Sequence, residues 1–239
     1  ITNFTTQKIN SRSYYNIENG DVWSDGFVSS SGSLIFGYPF SGSAISGGSS
    51  VSNTGRTNNP GVSSINAAAG ANSGYTWYSS TSIFDISGRG PEFLAIVAFP
   101  ATNNVVSRIG FQDTITATDS SDGAYLRLEN GFLRGVVLNN GSATYSTTSN
   151  QMATSSTTYY RAVVRCSSAG SSATFLLLSA DGSEAFTTNW TDTVTATLPT
   201  GTSRLTGAGI AAYDTAGSAA KELLRVDAMG IRFTELLIR

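Results

Sequence analysis

The chain has 239 residues, a length that one large sandwich or barrel can fill alone, so a second domain is not required. Charged residues make up only 13%, about half the usual share, and the net charge is −2 with no run of like charges. That balance excludes nucleic acid, which needs a basic footprint. With Lys8 and Lys221 as the only lysines it also speaks against a membrane partner.

Taken in chain order, residues 1–20 read as an extended polar arm, and 21–239 as one β-sandwich domain. The stretch around 41–75 is rich in Ser, Gly, Asn and Ala, with isolated Ile45, Val51, Val62 and Ile65. It reads as a loop-rich insertion carrying short strands. Phe93 to Pro100 is the longest apolar cluster and fits a buried strand; nothing approaches the roughly 20 apolar residues of a membrane helix.

The clearest period-2 pattern runs from Gly123 to Gly141. Ala124, Leu126 and Leu128 share one face, and Tyr125, Arg127 and Glu129 share the other. Asn130-Gly131 supplies a two-residue hairpin turn. On the return strand Phe132, Arg134, Val136 and Leu138 alternate with Leu133, Gly135 and Val137. A second pair follows, with Tyr160, Ala162, Val164 and Cys166 on one face, then 174–179 and an Asp181-Gly182 turn.

Ser218 to Leu224 is the best helical candidate, and it also reads as a loop entering a strand. The last strand is expected over 228–238, centred on Ile231 and Phe233. Its end, Leu236-Leu237-Ile238, is apolar on both faces, which implies cover by the fold or by another subunit and hence a homo-oligomer.

The 36 Ser and 29 Thr could signal disorder, but disordered chains lack aromatic and β-branched residues. Here 12 Phe, 10 Tyr and 3 Trp fall in patterned runs, so the expected fold class is all-β, with Ser/Thr-covered faces. Histidine is absent and Cys166 stands alone. Those facts remove a disulfide, Ser-His and Cys-His nucleophiles, and most zinc sites. Cys166 reads as a small buried hydrophobe.

From Phe93 onward the order of segments resembles the concanavalin A-like lectin/glucanase superfamily, particularly its laminin-G-like and pentraxin-like members. The resemblance rests on Phe93-Leu-Ala-Ile-Val-Ala-Phe99, Tyr159-Tyr-Arg-Ala-Val-Val-Arg165, Leu177-Leu-Ser-Ala-Asp-Gly182 and Gly230-Ile-Arg-Phe233. It implies a concanavalin A-like antiparallel jelly-roll sandwich. Tyr159-Tyr160 stands where the family's usual Trp-His pair would be. The Ser/Thr/Gly texture resembles bacteriophage fibre, tailspike and decoration proteins, which implies an extracellular place on a virion surface among other virion subunits.

Glycosidases of that superfamily carry a Glu-x-Asp-x-x-Glu strand, and none occurs here. Asp21-Val-Trp-Ser-Asp25 is the nearest acidic pair, but strand residues four apart lie about 13 Å apart. Catalysis needs roughly 5–5.5 Å or 6.5–9.5 Å. No enzyme, cofactor or metal is therefore expected. Asp119-Ser-Ser-Asp-Gly123 offers oxygen ligands as calcium loops do, yet these are also the ordinary turn residues, and a plain turn is the reading taken.

Uncharged glycan recognition needs exposed aromatics, and Trp77, Tyr78, Trp190 and Tyr213 are the candidate ligand-binding residues. The expected function is binding of a host-surface glycan by a phage fibre or tail domain. A capsid or tail decoration protein and, last, a glycan-degrading enzyme are the alternatives.

Overall fold

The structure, a computed structural model, describes residues 22–25, 27–28, 34–35, 40–53, 62–79, 84–88, 90–180, 186–201, 203–217 and 219–233. These residues form strands and no helix. The first seven are β1 (Val22–Asp25), β2 (Phe27–Val28), β3 (Leu34–Ile35), β4 (Ser41–Ile45), β5 (Ser49–Asn53), β6 (Val62–Ala67) and β7 (Ser73–Tyr78). Then come β8 (Pro91–Ala98), β9 (Val105–Gln112), β10 (Gly123–Glu129), β11 (Phe132–Asn139), β12 (Ser142–Tyr145) and β13 (Asn150–Gln151). The last are β14 (Tyr160–Cys166), β15 (Ser172–Ala180), β16 (Phe186–Thr195), β17 (Gly207–Asp214) and β18 (Lys221–Phe233).

Two antiparallel sheets face each other. The first has the order β16-β15-β14-β8-β18-β6-β5, with β1 lying beside the second half of β18. The second has the order β12-β11-β10-β9-β17-β7-β4, with β13 also paired to β11. Strict alternation supplies the interior. Phe93, Ala95 and Val97 of β8, and Phe175 and Leu177 of β15, meet Ile109 and Phe111 of β9 and Leu126 and Leu128 of β10 in one core cluster. Phe93 and Phe111 join the two sheets edge to face, with ring centroids 6.3 Å apart. Cys166 lies in the same core, and burial pushes its thiol pKa up.

The hairpin over 123–139 forms in the expected register, Leu128 opposite Leu133 and Glu129 opposite Phe132. Asn130 and Gly131 both take positive φ, 50° and 83°, as a type I′ turn requires. Asn140 and Gly141 repeat the device, at 53° and 75°. The helical option over 218–224 is not taken, since β18 begins at Lys221, seven residues before the expected last strand. Register shifts at Glu222/Leu224 and Val226/Ala228 let this long strand serve β6 and β8 together. The arm, the Asp181-Gly182 turn and Leu236-Leu237-Ile238 lie outside the described residues.

The 41–75 stretch departs from expectation. Where it is described it is richer in strand than expected: β4, β5, β6 and the start of β7 lie in it and supply one edge strand, with its inner neighbour, to each sheet. At two of its glycines backbones approach closely. A Cβ on Gly48 would stand 1.9 Å from the Gly74 carbonyl oxygen, and one on Gly74 would stand 1.9 Å from that of Ala212. A composition that reads as loop is here the condition for tight strand packing.

The connection from β9 to β10, residues 113–122, is pinned at its base. The Asp113 carboxylate accepts the Ser121 and Asp122 N–H groups at 3.0 and 3.2 Å. Asp122 accepts the Asn140 N–H at 2.8 Å and the Arg204 Nε–H at 3.1 Å. Burial alone would raise the Asp122 carboxyl, but the hydrogen bonds from Arg204 and Asn140 and the guanidinium charge hold it below its ordinary value.

Two outcomes follow from this packing. A Cβ on Gly135 would stand 2.2 Å from the buried Phe175 ring, so Gly135→Ala should cost about 1–3 kcal/mol in urea unfolding. Adding Phe175→Leu should recover part of that loss; full stability of Gly135→Ala alone would contradict the sheet-to-sheet contact. For Asp122, the folded pKa lies below the unfolded value of about 3.9, so its stabilisation is complete above that value and fades as pH falls through the folded one. The stability gap between the native chain and Asp122→Asn should therefore hold above about pH 5 and narrow as pH falls below it, and a constant gap would contradict the pairing.

Candidate functional site

Alternate residues of the second sheet turn away from the core, and on β9, β10 and β11 they bring three arginines abreast. Arg108 is the register partner of Arg127, and Arg127 is the partner of Arg134. Like charges directly opposite on neighbouring strands repel, so the row has to be neutralised from outside the ladder.

Each arginine is met differently. Arg108 is 0% exposed; its Nη1 donates to the Thr118 carbonyl at 2.6 Å, its Nη2 donates to the Thr116 carbonyl, and it lies 5.9 Å from the Tyr213 ring centroid. Burial lowers its pKa, with Tyr125, Tyr213 and Asp119 acting in opposition. The 113–122 connection thus folds back across the sheet, and Ala117 packs on Ile45, Val106, Ala211 and Tyr213. Burial also pushes the neighbouring Tyr125 phenol up to about 12.

Arg127, 9% exposed, donates to Asp119 and to Glu129 (Nε to Oε2, 3.1 Å). Burial would lower its pKa, but the hydrogen bonds and charges of Glu129 and Asp119 more than offset that and raise it.

Arg134 ends the row in the open, with 37% of its side chain exposed. Its Nη2 donates to Glu129 Oε2 at 3.2 Å, and its guanidinium lies 4.2 Å from the Tyr145 ring centroid. Phe132 stands on the same face, opposite Glu129. Phe132 and Tyr145 are 48% and 45% exposed, the two open large aromatic side chains among the described residues. The result is a ledge with two apolar rings, a planar cation and a carboxylate, offering stacking and directional hydrogen bonds at one place. Asp119 and Glu129 both pair with Arg127.

The residues expected from sequence are dispersed. Trp77 is buried in the inter-sheet core, 5.5 Å from the Tyr75 ring, with its Nε1–H donated to Ser63 Oγ. Trp190 is a buried rim residue of β16 whose Nε1–H donates to Thr148 Oγ1 at 3.0 Å. Thr148 is in turn bound to Asp192 through its N–H and hydroxyl at 2.8 and 2.7 Å, which clasps the β12–β13 connection to the opposite sheet. Tyr213 is buried against Arg108, and Tyr78 is half-buried on β7. Only Tyr78 and Tyr213 share a face, the outer face of the second sheet, and no common platform forms from the four.

In the 119–123 turn, Asp119 pairs with Arg127 and Asp122 with Arg204. Asp21 and the side chains of Trp23 and Asp25 lie outside the described residues. What sequence reasoning missed is Phe132, Arg134 and Tyr145. The hairpin alternation already set Phe132 on the face of Arg134, and that parity was the available signal.

Comparison with known proteins fits the architecture. Residues 58–227 match the family model described as "SO2946-like, C-terminal domain". Among solved structures, SO2946 of Shewanella oneidensis MR-1, a protein of unknown function, aligns with TM-score 0.70 at 19% identity, covering 98% of this chain and 100% of that one. The CBM2 module of the evolved Dit of Lactobacillus casei BL23 phage J-1 aligns with TM-score 0.50 at 14% identity, covering 92% of each chain. The exoplasmic/lumenal domain of VIP36, solved in its Ca2+/Man3GlcNAc-bound form, gives TM-score 0.54 at 11% identity, covering 84% of this chain and 86% of that one. No curated protein matches the sequence. At such identities the structural likeness concerns the fold, and that fold is the concanavalin A-like antiparallel jelly-roll sandwich. With the family match extending over most of its length, the chain belongs to the SO2946-like C-terminal domain family.

Proposed function

We propose that this domain binds a glycan without transforming it, across the ledge of Phe132, Arg134 and Tyr145, as an extracellular module of a phage fibre or tail. The observation that carries the reading is the pairing of two half-open aromatic rings with an oriented guanidinium–carboxylate pair. A sugar ring presents an apolar C–H face and a rim of hydroxyls. The first suits an aromatic surface, and the second suits Arg134 donors beside Glu129 acceptors. The lectin-like sandwich and the likeness to the phage J-1 Dit module support the glycan and the phage parts of the reading respectively.

Isothermal titration of the chain with cellohexaose, maltohexaose, xylohexaose and mannohexaose tests it. At least one should bind weakly, with affinity changing less than about twofold as salt is raised, because the ledge carries no net charge to be screened. Phe132→Ala and Tyr145→Ala should each weaken binding roughly tenfold or more. Both side chains are half-open, so stability should move by no more than about 0.5 kcal/mol. Absence of binding to all four sugars, or native affinity in both variants, would overturn the reading.

A further inference from the structure

A second surface, on the opposite face of the sandwich, also sets an oriented guanidinium–carboxylate pair beside an exposed apolar side chain, here Val51 in place of aromatic rings. Beyond β8, the first sheet ends in β18, β6 and β5, whose outward residues stand in two rows in register. Ser49 of β5 is opposite Asn66 of β6, which is opposite Glu222 of β18; next to them Val51 is opposite Ser64, and Ser64 is opposite Arg225. These six residues line a shallow, open groove of about 590 Å³ among the described residues. Ala68 and Ala220 border it, and their small side chains leave the space open.

The polar groups of the groove are held in place. Arg225 grips Glu222 through two hydrogen bonds, Nε to Oε1 at 2.6 Å and Nη2 to Oε2 at 2.8 Å, and its Nη1 donates to the Ser156 carbonyl at 2.7 Å. Ser64 Oγ donates to the same Glu222 Oε1 at 2.5 Å, and Asn66 Nδ2 donates to the Ser64 carbonyl at 3.3 Å. Lys221 is paired with Asp214 at 2.8 Å, so the cations of this corner are matched by carboxylates. A groove without net charge gives an ionic ligand no purchase. Val51, 50% exposed, adds an apolar patch beside the hydrogen-bonding row.

We infer that this groove is a second saccharide subsite, taking one neutral sugar unit, and that the domain therefore engages glycan on both faces. This rests on the glycan-binding reading and extends it to a bivalent module. One sugar ring cannot reach both surfaces, because the core of the sandwich lies between them. Two weak sites on one domain would raise the retention of a polymeric glycan well above that of either site.

The test is an NMR titration of the intact chain with the same four hexaoses. The Asn66 side-chain amide reports on the groove, and the Phe132 and Tyr145 rings report on the ledge. A shared sugar should shift both sets, and Phe132→Ala/Tyr145→Ala should lose the ledge response while the Asn66 amide still titrates. Asn66→Leu should weaken the groove response, followed at the Ser49 and Glu222 backbone amides, roughly tenfold with the ledge unchanged. Ala68→Trp, which fills the groove without touching its polar row, should do the same. If the ledge responds while the Asn66 amide stays still, the second subsite is overturned and the ledge reading stands. If neither responds, both are overturned.

Discussion

Three guanidinium groups standing side by side on β9, β10 and β11 set the terms for the outer face of the second sheet. Neighbouring side chains on paired strands lie about 5 Å apart, a distance at which like charges in a partly dry environment repel strongly. Leaving a buried charge without its partner costs about 3–5 kcal/mol, so the row cannot persist unless each member is met. The β9–β10 connection folds inward and offers two carbonyls to Arg108. Its Asp119 and the Glu129 carboxylate flank Arg127. At the two ends an aromatic ring takes up the remaining cationic face, Tyr213 for Arg108 and Tyr145 for Arg134.

This arrangement is graded from buried to open along the row, and the ledge is its open end. Glu129 reaches both Arg127 and Arg134, so the outermost guanidinium is oriented by a network whose root is buried. The strand that carries Tyr145 is anchored as well. The connection that follows it is clasped through Thr147 and Thr148 to Asp192 on the other sheet. Burial would raise the Asp192 carboxyl, but the hydrogen bonds from Thr148 and Thr147 prevail and lower it. A weak binding surface gains from such anchoring, because little side-chain freedom is left to lose when a ligand arrives.

The fold was readable where alternation was strong. The 123–139 hairpin and β14–β15 carry their inward residues in period-2 runs, the first around the Asn130-Gly131 turn, and β8 stood out as an apolar run. It was unreadable over 41–75, where Gly42, Gly48 and Gly74 stand at positions that tertiary contact keeps small. Composition there reports the closeness of neighbouring backbones, which no local pattern encodes. The site was harder still. Trp77 and Trp190 drew attention as large aromatics in polar surroundings, yet both spend their rings on the core and their N–H groups on a hydroxyl. Phe132 and Tyr145 are set apart by their neighbours on adjacent strands, and the arginine row exists only once β9, β10 and β11 are in register.

A crystal structure of the domain with a saccharide that it binds tests the central claim most directly. A sugar ring should lie against Tyr145 or Phe132, with hydroxyls bonded to the Arg134 guanidinium and the Glu129 carboxylate. Sugar bound at some other surface, with both rings and Arg134 left bare, would contradict the account.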